Sequence, residues 1–276
     1  MIRKLPNLLT AHMDAWGTTF IIGLMCLLLH GASAWGLVIT VTVGYWFGFA
    51  VNDYFDAPMD RLDPDKAARG YFTTVRVPPL LALAVAALIV ALALPVFVSY
   101  GTRGIVVFMV ALLIVWAYSA PPLRLKSVPG FDVLTHALFV QTFPYVLIMV
   151  LLDLPWTPLD IVMIAGFLLA STSAQLEQQV RDYDTDRLSE RNFTIWIGRE
   201  RSAFLMRLLT LVLLVVVSLH VLNGVIPAYL APFGLVCVPL LLHRFVRRPD
   251  QPRSEWLFRA TVIVALSYAA LLLIFR

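Results

Sequence analysis

Long apolar runs alternate along the chain with short polar connections. The runs lie near 14–32, 34–57, 78–99, 104–120, 131–152, 157–181, 201–222, 225–243 and 256–275. A helix needs about 20 mostly apolar residues to cross a bilayer core. The pattern therefore predicts an all-α integral membrane protein with nine transmembrane helices, its two termini on opposite sides. No linker or low-complexity stretch interrupts it, so 1–276 reads as one polytopic membrane domain.

The connections carry the next signal, because loops facing the cytoplasm collect Lys and Arg. Arg3 and Lys4 precede the first run, and Arg61, Lys66, Arg69 and Arg76 follow the second. Arg124 and Lys126 follow the fourth; Arg181, Arg187, Arg191, Arg199 and Arg201 follow the sixth; Arg244, Arg247, Arg248 and Arg253 follow the eighth. The alternate connections offer only Arg103 and the terminal Arg276. This places the N-terminus inside and the C-terminus outside, in the cell membrane.

Composition agrees. Hydrophobic residues make up 60% and charged residues 14% of 276 positions, with a mean hydropathy of +0.84; soluble domains carry about 25% charged residues. The formal charge of +4 is spread over many short loops, which reads as topology and excludes nucleic acid as a partner. Cys26 and Cys237 sit in apolar runs as packing residues. No small-residue cleavage site follows the basic start, so the first run reads as a span rather than a leader.

Acidic residues are uneven: ten of seventeen fall in 53–65 and 177–190, both at predicted cytoplasmic span ends. The first stretch contains Asn52, Asp53, Asp56 and Asp60, which share about a 100° arc of a helix. Ionised carboxylates held so close repel each other unless they take up protons or bind a divalent cation. Oxygen ligands without His or Cys favour Mg2+, which commonly bridges carboxylates to substrate phosphates. Pro58 is expected to kink or end the helix between Asp56 and Asp60.

In the second stretch Asp182 and Asp186 lie four apart on one face, with Gln178 a turn earlier and Asp184 pointing away. Asp182, Asp184 and Asp186 also mimic the opening of a calcium loop. Arg187 stands where that loop needs Gly and Phe193 where it needs Glu, so a calcium loop is rejected. Tyr118-Ser-Ala-Pro-Pro-Leu-Arg124-Leu-Lys126 follows the fourth span. Its prolines stop the helix and present Arg124 and Lys126, which suit phosphate as a planar fork and a compact charge. Lys66 and Arg69 add positive charge.

Together these segments resemble the UbiA superfamily of intramembrane prenyltransferases. Asn52, Asp53, Asp56 and Asp60 look like the family's N-D-x-x-D-x-x-x-D motif; Asp182 and Asp186 look like its D-x-x-x-D motif, followed by Thr194 and Gly198. Tyr-Ser-x-Pro-Pro-x-Arg-x-Lys resembles a stretch common in chlorophyll-synthase-like members. The resemblance implies nine helices in one bundle around a central cavity. It implies Mg2+ as cofactor, held by Asn52, Asp56, Asp60, Asp182 and Asp186, with Asp53, Asp56, Asp182 and Asp186 catalytic. It also implies a prenyl diphosphate donor bound by Asn52, Lys66, Arg69, Tyr118, Arg124 and Lys126, and a lipophilic acceptor, in a membrane-lipid environment. Tyr54, Phe55, Trp116, Phe139 and Tyr145 are available to shield an allylic cation. His136 and Gln141 could line the acceptor side.

Two departures bear on substrate. Ala11-His12-Met13-Asp14 stands where hydroxybenzoate-using members often have Arg-Pro, and Arg69-Gly70 stands where Arg-Pro is expected after Lys66. An aromatic-acid acceptor is therefore disfavoured. An alternative of the same fold is a membrane terpene cyclase that acts on prenyl diphosphate without an acceptor. A transporter is a third reading, opposed by acids that cluster at one face rather than at mid-membrane.

Overall fold

The computed structural model describes residues 5–62, 67–68, 70–187, 191–251 and 253–275. Lys66 and Arg69, both predicted to meet a diphosphate, lie outside the described residues. The described chain is all-α and multi-spanning: eight helices are long and apolar enough to cross a membrane, among the described residues. The ninth predicted run is helical over Glu255–Phe275, with an apolar stretch over Trp256–Leu272. The chain divides into two compact units, Met1–Pro155 and Trp156–Arg276.

In the first unit a short helix, α1 (Leu5–Thr10), precedes α2 (Met13–His30), α3 (Trp35–Asp60), α4 (Pro79–Val98), α5 (Gly101–Ser119) and α6 (Phe131–Leu151). Gly31, in the left-handed region at φ 60°, ends α2 and lets its backbone N–H reach back to carbonyls of the last turn. Gly23 brings α2 against two neighbours: a Cβ there would lie 3.0 Å from Val38 Cγ1 and 3.1 Å from Ile148 Cδ1. Around it Ile22, Cys26, Leu27, Leu37, Val38, Val41, Tyr145, Ile148 and Met149 are buried, forming this unit's core. Tyr145 is therefore a core residue. Within α6 the backbone widens to π geometry over Leu138–Thr142, a segment that contains Gln141. The Tyr45 hydroxyl donates to the Phe139 carbonyl there, as π turns leave carbonyls to be satisfied from outside the ladder.

α3 does not stop at Pro58. It continues to Asp60, and the Arg61 N–H reaches the Ala57 carbonyl at 3.3 Å. Pro58 cannot donate to the Tyr54 carbonyl, but it lies in the final turn, where one missing bond breaks little. Arg61 then secures the exit by donating from Nε to the Thr73 carbonyl (3.1 Å) and from Nη2 to the Phe72 carbonyl (3.0 Å).

The α4–α5 hairpin turns so tightly that a Cβ on Gly104 would sit 1.8 Å from the Phe97 carbonyl oxygen. Backbone cannot retreat as a flexible side chain would. Gly104→Ala is expected to cost about 3 kcal/mol or more, beyond ordinary overpacking, read as a lower thermal midpoint in detergent. An unchanged midpoint would refute that packing.

The second unit holds α7 (Pro158–Arg181), two short helices α8 (Tyr183–Asp186) and α9 (Phe193–Ile197), then α10 (Arg199–Leu222), α11 (Ala231–Val246) and α12 (Glu255–Phe275). A capping box starts α7: the Asp160 N–H bonds the Thr157 hydroxyl, and the Asp160 carboxylate accepts from the Thr157 N–H at 2.6 Å. α7 and α10 bury Ser171, Ser173, Leu176, Val180, Ala203, Met206 and Thr210; the small ones, Ser171, Ser173, Ala203 and Thr210, permit close backbone approach.

Arg244 and Arg247, whose place in the chain marks a basic loop, are buried instead. Arg244 donates from Nε to Glu177 Oε2 at 2.8 Å, and from Nη1 to Ser173 Oγ (2.8 Å) and Thr210 Oγ1 (3.0 Å). Arg247 Nη2 donates to the other Glu177 oxygen. Arg207 Nε donates to the Arg244 carbonyl at 3.1 Å. One carboxylate thus joins α7 to α11, with α10 alongside.

Candidate active site

Helical spacing puts Asn52 and Asp56 one turn apart near the end of α3, and the Asn52 amide donates to Asp56 Oδ2 at 2.9 Å. The loop leaving α5 meets this pair. Ser119, the buried last residue of α5, donates to Asn52 Oδ1 at 3.3 Å. After Pro121-Pro122, Arg124 adopts a left-handed φ of 40° and opens a 3-10 turn, Leu125–Ser127. That turn delivers both basic groups. Arg124 Nη2 donates to Asp56 Oδ1 at 3.1 Å, and Lys126 Nζ donates to Asn52 Oδ1 at 2.9 Å and to Asp56 Oδ1. Asn52, Asp56, Arg124 and Lys126, far apart in sequence, form one connected cluster. Tyr118, one residue before Ser119, is half-buried.

The acidic face of α3 is shared between two sets of partners. Asp53, about 100° round the helix from Asn52, accepts from His12 Nε2 at 2.9 Å. The His12 ring stacks on Phe49 with centroids 4.9 Å apart. Withdrawal from water against Phe49 favours the neutral ring, but the Asp53 hydrogen bond and the charges of Asp53, Asp14 and Asp60 outweigh this and raise its pKa. Asp60 is half-buried and acts on His12 through its charge. Beside the cluster, Phe55 meets Trp116 and Tyr54 edge-on, at 6.1 and 5.5 Å between centroids.

In the second unit α7 ends at Arg181, and Asp182 stands at the junction with α8. The Asp186 N–H bonds the Asp182 carbonyl at 2.9 Å, so the two acids are one helical turn apart. Arg181 Nε donates to Asp182 Oδ1 at 2.9 Å, and the Asn192 amide donates to Asp186 Oδ2 at 2.9 Å. Asp184 pairs with Arg199 and, at 3.8 Å, with Arg187. The Arg199 hydrogen bond holds its carboxyl below the ordinary range. Gln178 is exposed; the neighbouring Gln179 is buried and accepts from the Thr194 N–H (3.2 Å) and hydroxyl (2.9 Å).

Sequence reasoning did not single out Ser119, Gln179 or Asn192, and saw in His12 only a missing Arg-Pro. Asn192 had a legible signal: an Asn directly before a helical run is a favoured N-cap, and its side-chain Oδ1 does accept from the Ile195 N–H at 2.9 Å.

Among the described residues, no three His, Cys, Asp or Glu side chains lie close enough to hold a metal by themselves. What α3 offers is carboxylate and amide oxygen. Mg2+ is typically held by one or two carboxylates together with substrate phosphate oxygens, so this donor set suits Mg2+ shared with a phosphorylated ligand.

A model of the UbiA prenyltransferase family matches residues 15–271. A lycopene elongase/hydratase of Haloarcula japonica is 34% identical over 103 residues, 35% of this chain and 32% of that protein. The chain thus spans about a third of the length of that curated relative. A UbiA homologue from Archaeoglobus fulgidus, solved bound to DMAPP and Mg2+, superposes with a TM-score of 0.71 at 18% identity, covering 95% of this chain and 96% of that one. The same homologue bound to GPP and Mg2+ also gives 0.71 at 18% identity, over 94% and 95%. These structures establish a shared fold.

Proposed function

Since its match over residues 15–271 makes the chain a member of the UbiA prenyltransferase family, we propose that it transfers a polyprenyl group from an allylic diphosphate to a lipophilic acceptor, with Mg2+ as cofactor. The observation that carries this reading is the meeting of Arg124 and Lys126 with Asn52 and Asp56. Two cationic donors and an oxygen-rich helix face, side by side, are what a metal-bound diphosphate requires.

In this reading Asn52, Asp56 and Asp60 hold Mg2+ on α3, and Asp182 and Asp186 form a second ligand set required for the same reaction. Mg2+, when bound, supplies positive charge that eases departure of the diphosphate. Arg124 and Lys126 donate hydrogen bonds to phosphate oxygens as negative charge develops on them. Tyr118 lines the donor beside them, and Lys66 and Arg69 add cationic contacts. Asp53 and Asp56 keep these groups preorganised, and Tyr54, Phe55 and Trp116 keep water from the allylic carbon. The likeness to lycopene elongase/hydratase and the missing Arg-Pro support an uncharged acceptor.

The wider reading is one domain of nine spans around a central cavity, in the cell membrane. The distribution of Lys and Arg supports a cytoplasmic N-terminus, two cytoplasmic acidic motifs and an external C-terminus.

The test uses purified protein in detergent with an allylic diphosphate, Mg2+ and a lipophilic acceptor. Diphosphate and prenylated acceptor should form together, stop with EDTA and resume with Mg2+. No metal-dependent diphosphate release would sink the assignment; cyclic hydrocarbon from donor alone would replace transfer with cyclisation. Lys126→Ala should lower kcat/KM by about ten- to a hundredfold, the usual effect of losing a hydrogen bond to a charged group, and raise the donor KM. Unchanged kinetics would remove Lys126 from the donor site.

A further inference from the structure

The segment before α2 is docked along α3 by three residues spaced as one helical stripe. Trp46 Nε1 donates to the Leu8 carbonyl at 3.0 Å. Phe49 carries the His12 ring at an interplanar angle of 16°. Asp53 takes the imidazole hydrogen bond at 2.9 Å. His12 reaches this place through a left-handed backbone, φ 51°, a region non-glycine residues seldom adopt and His adopts more readily than most. Its carbonyl meanwhile accepts from the Ala15 and Trp16 N–H groups at the start of α2. Backbone on one side and Phe49 on the other thus hold the ring.

Resting on the function proposed above, we propose that His12 is a positioning residue: it fixes the Asp53 carboxylate through one oxygen and directs the other toward the metal–diphosphate site. Among the described residues, His12 is the side chain that hydrogen-bonds Asp53. Neighbouring Asn52 and Asp56 are oriented by Lys126, Arg124 and Ser119. Without His12 the Asp53 carboxylate would sample several rotamers. Docking of the segment alone does not need this bond, because Trp46 and the ring stack already supply anchors. The hydrogen bond adds orientation of a carboxylate, and preorganised groups lose rate when loosened.

Three variants separate orientation from docking. His12→Phe keeps a ring for Phe49 and removes the hydrogen bond; His12→Gln keeps a donor and removes the stack; Trp46→Phe loosens the segment without touching Asp53. Each is compared with wild type for diphosphate release and, separately, for the Mg2+ concentration giving half the metal-induced rise in thermal midpoint. His12→Phe should lose about tenfold in kcat and need more Mg2+, with its metal-free midpoint near wild type. His12→Gln should recover most of the loss, and Trp46→Phe should match wild type. His12→Phe matching wild type in both measurements would overturn the proposal, as would equal damage from Trp46→Phe. Absence of Mg2+-dependent release by wild type would instead defeat the functional reading itself, and the inference with it.

Discussion

Asp56→Asn is expected to reduce prenyl transfer by roughly a hundred- to a thousandfold, the range seen when one preorganised electrostatic group is lost at a reacting centre, while the protein stays folded. The substitution keeps the side chain's size and one acceptor oxygen and removes only its charge. Asp56 is the hub of its cluster: Asn52, Arg124 and Lys126 all bond to it. Without its charge the helix face loses a ligand for Mg2+, and the two cations lose the group that holds them in register. Lys126 retains Asn52 Oδ1, so the loop should stay attached and the protein folded, with a midpoint lowered by the charge that Arg124 and Lys126 no longer have balanced. Under the proposed function, which makes Asp182 and Asp186 a ligand set needed for the same reaction, Asp182→Asn should cost as much. The measurement is diphosphate release by protein shown to be monodisperse and folded. Wild-type rates after both substitutions would discard the metal-site assignment.

Glu177→Ala carries the second large effect, on stability rather than chemistry. Its carboxylate is 16% exposed and faces Arg244 and Arg247 side chains exposed by only 9% and 6%. Removing one partner of a buried pair strands charge and typically costs about 3–5 kcal/mol; here two guanidiniums are stranded. Ser173 and Thr210 would still receive Arg244, but hydroxyls do not neutralise it. The variant should show a markedly lower thermal midpoint in detergent and poor recovery from membranes. Replacing the whole group, Glu177→Met with Arg244→Met and Arg247→Met, should restore much of that loss, because no charge remains to be desolvated. A Glu177→Ala midpoint equal to wild type would show that the buried pair contributes nothing net.

Several elements are legible in the sequence. All nine predicted runs have helical counterparts among the described residues, eight of them within three residues at either end and the run 225–243 with a helix that starts six residues later, at Ala231, because hydropathy registers the solvent a segment must face. Asn52 with Asp56, and Asp182 with Asp186, fall one turn apart as their four-residue spacing requires. Arg124 and Lys126, read from the sequence as phosphate contacts, meet Asn52 and Asp56 in the structure. Other expectations failed for identifiable reasons. Of the two effects expected of Pro58, a kink or an end, the end is not seen, since a proline in a last turn removes one bond where few remain. Arg244 and Arg247 read as loop charges in the sequence because charge statistics register only that a residue is basic. Tyr145, a candidate for cation shielding, is wholly buried in the first unit's core.

Lipid imposes a one-dimensional requirement, a sufficient length of apolar helix, and a one-dimensional string can state it in full. Helical periodicity likewise assigns neighbours within a turn, so the membrane class and the faces of each motif belong to the sequence. Choice of long-range partner does not. His12 meets Asp53 across 41 positions, Glu177 meets Arg244 across 67, and Lys126 meets Asp56 across 70. Which cation reaches which carboxylate depends on how helices pack and which rotamers survive that packing, and in this protein only the tertiary structure decided it.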